Sequence, residues 1–144
     1  MKLLKKCLIL IVTAAMLLGF SSCKHAISKE DATARTEAFV SAIGEARYED
    51  AAALMHPSRE TSPSDVKMYI TSLEDEYGID FGAGFSIERY TGMKSSAYDS
   101  LYEGGYYELT CVAVSGEQSF EFRIEIVKNE YGYGIHNFHF DFSK

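Results

Sequence analysis

The chain has 144 residues, 47% of them hydrophobic, with 14 Lys and Arg against 21 Asp and Glu for a formal net charge of −7. An acidic balance of this size argues against nucleic acid or an anionic membrane surface as a partner, because both repel it. Three cysteines in the whole chain are too few for a disulfide framework.

Met1-Lys2-Leu3-Leu4-Lys5-Lys6 is a basic start, and Cys7 to Phe20 is an uncharged apolar run that breaks at Ser21-Ser22. A membrane-crossing helix needs about 20 apolar residues, so this run reads as an export signal and not as an anchor helix. Phe20-Ser21-Ser22-Cys23 resembles the lipobox of bacterial lipoproteins, with Phe20 in place of the usual Leu. The resemblance implies cleavage before Cys23, whose thiol takes a diacylglyceryl group. The competing reading is plain secretion with Cys23 as an incidental thiol; the basic start, apolar run and cysteine together favour lipidation.

On this reading residues 1–22 are the signal, 23–27 the lipidated N-terminus and a short tether, and 28–144 one folded domain. The expected place is outside the cytoplasm, with the membrane reached through the lipid. More than one acyl chain gives stable anchoring where a single chain is marginal. Removing residues 1–22 leaves 122 residues, enough for one hydrophobic core, and takes three lysines, moving the charge to −10. Cys7 leaves with the signal and Cys23 is consumed, so Cys111 alone remains and no internal bridge forms.

The domain begins with helical patterns. Ser28 followed by Asp31 has capping-box spacing, and Ala32, Thr36, Phe39, Val40 and Ile43 make one stripe ending near Gly44. Tyr48, Ala51, Ala52 and Met55 predict a short second helix, ended by Pro57. Ser62-Pro63 opens a third, with Val66, Tyr69, Ile70, Leu73 and Tyr77 on its stripe and Gly78 as its left-handed stop.

From Gly82 the period changes to two. Phe85 to Met93 predicts a first strand, with Tyr98 to Tyr102 as its possible resumption and Gly104-Gly105 as a hairpin turn. Tyr106 to Val114, Ser119 to Val127 and Tyr133 to Phe142 complete a meander, turning at Ser115-Gly116 and Asn129 to Gly132. Phe120, Phe122, Ile124, Ile126, Phe138 and Phe140 are expected inward, and Glu121, Arg123 and Glu125 outward. The fold class is therefore α+β, with N-terminal helices packed on one face of a curved four-stranded antiparallel sheet.

This order of elements, with Ala38-Phe39-Val40-Ser41-Ala42-Ile43, Tyr48-Glu49-Asp50-Ala51-Ala52 and Tyr131-Gly132-Tyr133-Gly134-Ile135, resembles the small bacterial lipoproteins that carry a nuclear transport factor 2-like, cystatin-like domain. The likeness covers Ser28 to Phe142 and rests on packing motifs. The superfamily includes a ketosteroid isomerase and polyketide cyclases, whose cone-shaped cavity holds an acid or histidine base, and also members that only bind or scaffold. It often has a strand pair between its second and third helices, and His56 to Ser62 is too short for one. A smaller cone is implied.

Among chemical candidates, His136 shares parity with Phe138, Phe140 and Phe142, which fits a general base facing a cavity; a wet histidine near the frayed end of the strand is the favoured reading. His136 and His139 point to opposite faces of a strand, so no metal pair is expected. His56, before Pro57, reads as a surface residue, and Cys111 as a buried, inert thiol. Arg89, on the Phe85 and Ile87 side, is a weaker inward candidate. Tyr98, Tyr102, Tyr106 and Tyr107, with Tyr90, cluster around the first hairpin, either as strand-forming residues, the favoured reading, or as a flat surface for a glycan or protein partner. Gly82-Ala83-Gly84 lacks a dinucleotide loop's third glycine and following helix. Glu74-Asp75-Glu76 with Asp80 is either a solvated acidic face, the favoured reading, or a cation site without a calcium-loop pattern. No metal or cofactor is expected.

Two functions from different classes survive. One is a membrane-anchored extracytoplasmic lipoprotein with a non-enzymatic domain that binds a small ligand, a glycan or an envelope protein. The other is a small-molecule isomerase or cyclase of the ketosteroid isomerase or polyketide cyclase type. The nearly all-apolar inward positions favour the first.

Overall fold

The computed structural model describes residues 24–142, so the expected signal, Cys7 and Cys23 lie outside the described residues. Three helices come first, Lys29–Gly44 (α1), Tyr48–Ala53 (α2) and Pro63–Tyr77 (α3). Four strands follow, Ser86–Asp99 (β1), Gly104–Ser115 (β2), Gln118–Asn129 (β3) and Gly132–Asp141 (β4). They make one antiparallel sheet in chain order, curved and unclosed, with the helices N-terminal to it. Among the described residues no helix is long and apolar enough to cross a membrane.

The helix boundaries follow their local chemistry. Ser28 Oγ accepts the Asp31 N–H at 3.0 Å at the start of α1, satisfying a donor that the first turn leaves free. Ser62 and Asp65 form a reciprocal capping box at the start of α3, with Pro63 in the first turn, and Gly78 ends that helix with φ 65°. Acids in the last turn of α3 oppose its dipole, yet one has a local use. Glu74 Oε1 accepts the Phe81 N–H at 3.2 Å, and Asp80 Oδ1 accepts that of Gly82 at 2.8 Å, so both carboxylates fix the 3₁₀ turn Phe81–Ala83.

The sheet buries one face. Tyr107, Leu109, Cys111 and Ala113 of β2 stand opposite Ile126, Ile124, Phe122 and Phe120 of β3, and all eight are buried. Phe140 sits across from Phe122 on β4, their rings stacked 4.8 Å apart. Phe39 of α1 and Phe81 reach into the same layer. Phe138, expected inward, is only half-buried, packed between Phe39 and Tyr69.

Bulges account for most departures from simple alternation. β1 is one strand from Ser86 to Asp99, with register shifts at three places, each of which inserts an unpaired residue and bends the edge. The first shift puts Arg89 opposite Val112 on the outer face, paired with Glu88 at 2.8 Å; it does not point inward. Gly104 and Gly105 do not form the hairpin turn, because they lie within β2 and are buried. The turn is 100–103, held by the Leu101 N–H on Asp99 Oδ1 at 2.9 Å. Close approach is what Gly105 permits: a Cβ there would overlap the His25 carbonyl, so the chain already crosses this end of the sheet before Ser28. Ile27 packs against the core.

The segment after α2 docks on the outer edge of β4. His56 N–H donates to the Ile135 carbonyl at 2.7 Å, and Ile135 N–H donates to that of Leu54 at 2.9 Å. Met55 and Ile135 thereby pair as a one-residue parallel bridge. The Leu54 carbonyl also accepts from Arg35 Nη1 at 2.9 Å, which ties this segment to α1.

Candidate functional site

The docked segment carries a histidine that the chain order hides. His56 is only 1% exposed, contrary to the expectation of a surface residue. Its burial follows from the bridge to Ile135 and from Gly134, where a Cβ would sit 2.5 Å from the His56 backbone. Nδ1 accepts the Ser58 N–H at 3.2 Å and lies 2.7 Å from Ser58 Oγ. The other nitrogen, Nε2, faces Asn129 Oδ1 at 3.1 Å and the Gly132 carbonyl at 3.2 Å. Two acceptors around Nε2 assign it the proton, and the amide donor at Nδ1 keeps that nitrogen as an acceptor. Serine, histidine and asparagine in a row have the parts of a nucleophile relay. Here Nδ1 is already engaged by the Ser58 amide within one 3₁₀ turn, Pro57–Arg59, and the ring is sealed from solvent. The group joins three chain segments.

The His136 ring lies 6.2 Å from the His56 ring. The sequence parity would send it inward with Phe138, but the register shifts between Glu125 and Ile126, so that Ile135 takes the position opposite Ile126. His136 is the extra residue of that bulge. It is half-buried at the sheet edge, neither in the core nor at a frayed end. Tyr102 meets it edge-on at 4.9 Å. Burial lowers its proton affinity, and the Arg59 charge lowers it further.

Of the tyrosines, the structure brings two together with His136 and separates the others. Tyr102 and Tyr106 stack with centroids 5.3 Å apart on the outer face, above the end of β3 where Val127, across from Tyr106, is fully buried. Tyr106 Oη donates to Glu108 Oε2 at 2.9 Å, and Lys94 Nζ reaches Glu108 Oε1 at 3.1 Å. Burial pushes the Glu108 carboxyl up, but the Tyr106 and Lys94 contacts outweigh it and hold the group below its usual range. Burial and the Glu108 contact together raise Tyr106 strongly. Tyr107 lies on the opposite, core face with its hydroxyl on Met93 Sδ at 3.4 Å, and Tyr98 stands 61% exposed on β1. They do not form one flat surface. His139 is exposed on the outer face opposite Arg123.

Cys111 is fully buried, its thiol on the Phe122 carbonyl at 3.3 Å. Burial, with Glu121 adding to it, pushes the thiol up to about 12, which suppresses the thiolate needed for nucleophilic work. Among the described residues no group of three His, Cys, Asp or Glu side chains has the geometry to hold a metal ion.

A cleft of about 270 Å³ opens beside His136, between the docked segment, α3 and β4, with Arg59, Thr61, Asp65 and Asn137 around it and Met55, Val66, Tyr69 and Phe138 beneath. A larger groove of about 480 Å³ runs between α1 and the start of β1, with Glu37 and Glu45 on its rim. Size does not decide between them: the smaller cleft is where a guanidinium, an imidazole and polar donors converge on an apolar floor. Arg59 escaped sequence reading because 77 residues separate it from His136, and they share a cleft through the docking of the segment after α2 on β4. Comparison with protein-family models, with curated proteins and with solved structures finds no match for the chain.

Proposed function

We propose that this chain is an exported lipoprotein, held to the membrane by lipid on Cys23, whose nuclear transport factor 2-like domain recognises its ligand or partner at the surface and not in an enclosed cavity. One observation carries the surface reading. The space between helices and sheet, where an isomerase or cyclase of this superfamily would hold substrate, is filled by the rings of Phe39, Phe81, Phe85, Phe120, Phe122 and Phe140, each at most 6% exposed. Neighbouring rings such as Phe85 and Phe120 stand 5.9 Å apart and Phe81 and Phe85 5.0 Å apart, within ordinary aromatic packing distance. The thiol of Cys111, opposite Phe122 in this layer, is pushed up by burial, and His136 is half-buried at the sheet edge.

The anchor and the domain are tested separately. Growth with an alkyne-tagged fatty acid should label the wild-type chain and leave Cys23→Ala unlabelled and uncleaved; normal labelling of that variant refutes the anchor. A neutral steroid added to the full chain should leave the aromatic NMR signals of Phe39 and Phe122 unmoved. Saturable shifts there would refute the surface reading.

A further inference from the structure

We propose that the cleft between Arg59 and His136 at the edge of β4 binds a small free organic acid, its carboxylate held by those two side chains and its aromatic or branched body laid against Tyr69 and Phe138. The inference rests on the reading above that the domain binds and deepens it by naming a ligand class. Arg59 is exposed and makes no ion pair among the described residues, although the chain is strongly acidic and supplies carboxylates in excess. A guanidinium left unpaired at the mouth of a cleft is a fork for a planar carboxylate.

The one carboxylate lining the cleft, Asp65, is already committed: its Oδ2 accepts from Ser62 N at 2.8 Å and from Ser62 Oγ at 2.7 Å. Arg59 and His136 line the same cleft, which places two potential cations there, while the Asp65 carboxylate is turned to Ser62. An arriving carboxylate relieves the repulsion between those cations and restores proton affinity to the imidazole. The volume, about 270 Å³, is under the roughly 300 Å³ at which sites for drug-sized ligands begin, which suits a compact acid. The apolar floor of Met55, Val66, Tyr69 and Phe138 excludes a fully hydrated inorganic anion as the best fit.

The test titrates benzoate into the full chain in neutral detergent, following the His136 ring by NMR, with benzyl alcohol as the uncharged isostere. The proposal expects saturable shifts of His136 and Phe138 in the millimolar range, at least tenfold weaker binding of benzyl alcohol, and at least tenfold loss in Arg59→Gln with partial recovery in Arg59→Lys. Arg123→Gln, which removes the same charge from the distant outer face, should bind as wild type. Equal binding of the alcohol, equal loss in Arg123→Gln, unchanged binding in Arg59→Gln or no saturable shift each overturns it. None of these outcomes bears on fatty-acid labelling at Cys23, so failure of the ligand class is told apart from failure of the anchored reading.

Discussion

His56 Nε2 lies 3.1 Å from Asn129 Oδ1, joining the segment after α2 to the turn between β3 and β4. Because the ring is sealed and both nitrogens are engaged, its removal leaves buried acceptors without a donor as well as a void. His56→Ala should cost about 3 kcal/mol of stability, read by urea unfolding. The Ile135 amide, which bonds to Leu54, should lose hydrogen-exchange protection in the same variant. A loss under about 0.5 kcal/mol, the range of ordinary surface substitutions, would show that the histidine is not a joint.

Gly134 offers a second probe of that docking. Any side chain there meets the backbone of Met55 and His56, so Gly134→Ala should cost about 1 to 3 kcal/mol as overpacking. The same variant should weaken benzoate binding, since Arg59 is carried on the displaced segment. Unchanged stability on urea unfolding would mean that the segment yields without cost.

The layer of rings predicts an asymmetry across β3 and β4. Phe122→Ala should cost about 3 to 5 kcal/mol, Phe138→Ala less because Phe138 is only half-buried, and Arg123→Ala within about 0.5 kcal/mol. Equal sensitivity at Phe122 and Arg123 in denaturant unfolding would contradict a sheet covered on one face.

Much of this arrangement was legible in the sequence, and each exception has a physical cause. Alternation in Phe120 to Ile126 and the stripe of Phe39, Val40 and Ile43 report burial directly, since each side chain's face follows from its position in a regular element. Ser62-Pro63 and Gly78 marked their helix ends because capping is local chemistry. Bulges defeat such counting: one unpaired residue moved Arg89 outward and gave the place expected for His136 to Ile135. Gly104 and Gly105 looked like a turn, but their lack of a side chain serves close backbone approach instead. The candidate cleft was invisible for a different reason. Arg59 and His136 come to one cleft because the segment after α2 docks on β4, and no periodicity records a contact between segments so far apart.

Cys111 gives a chemical check on the core. With its thiol pushed up to about 12 and fully buried, it should resist iodoacetamide at pH 8 in the folded chain and react once urea exposes it. Peptide mapping by mass spectrometry reads the modification. Rapid labelling of Cys111 without denaturant would contradict the packing of β2 on β3.

His136 links pH to stability with a definite sign. A histidine whose folded midpoint is lowered takes its proton more readily in the unfolded chain. Its contribution is therefore complete above the ordinary value of about 6.5 and is lost as the pH falls through the lowered midpoint. Wild type should thus lose more stability than His136→Gln over that interval in urea titrations at stepped pH. Parallel curves would remove His136 from the account.

The most direct measurement is the NMR titration of the His136 ring against pH in the full chain, with and without Arg59→Gln. If burial and the Arg59 charge shape the cleft, the wild-type midpoint lies below the ordinary histidine value and rises in Arg59→Gln without reaching it, because burial remains. A wild-type midpoint at or above the ordinary value, or one that Arg59→Gln leaves unmoved, would contradict a cleft that these two side chains share.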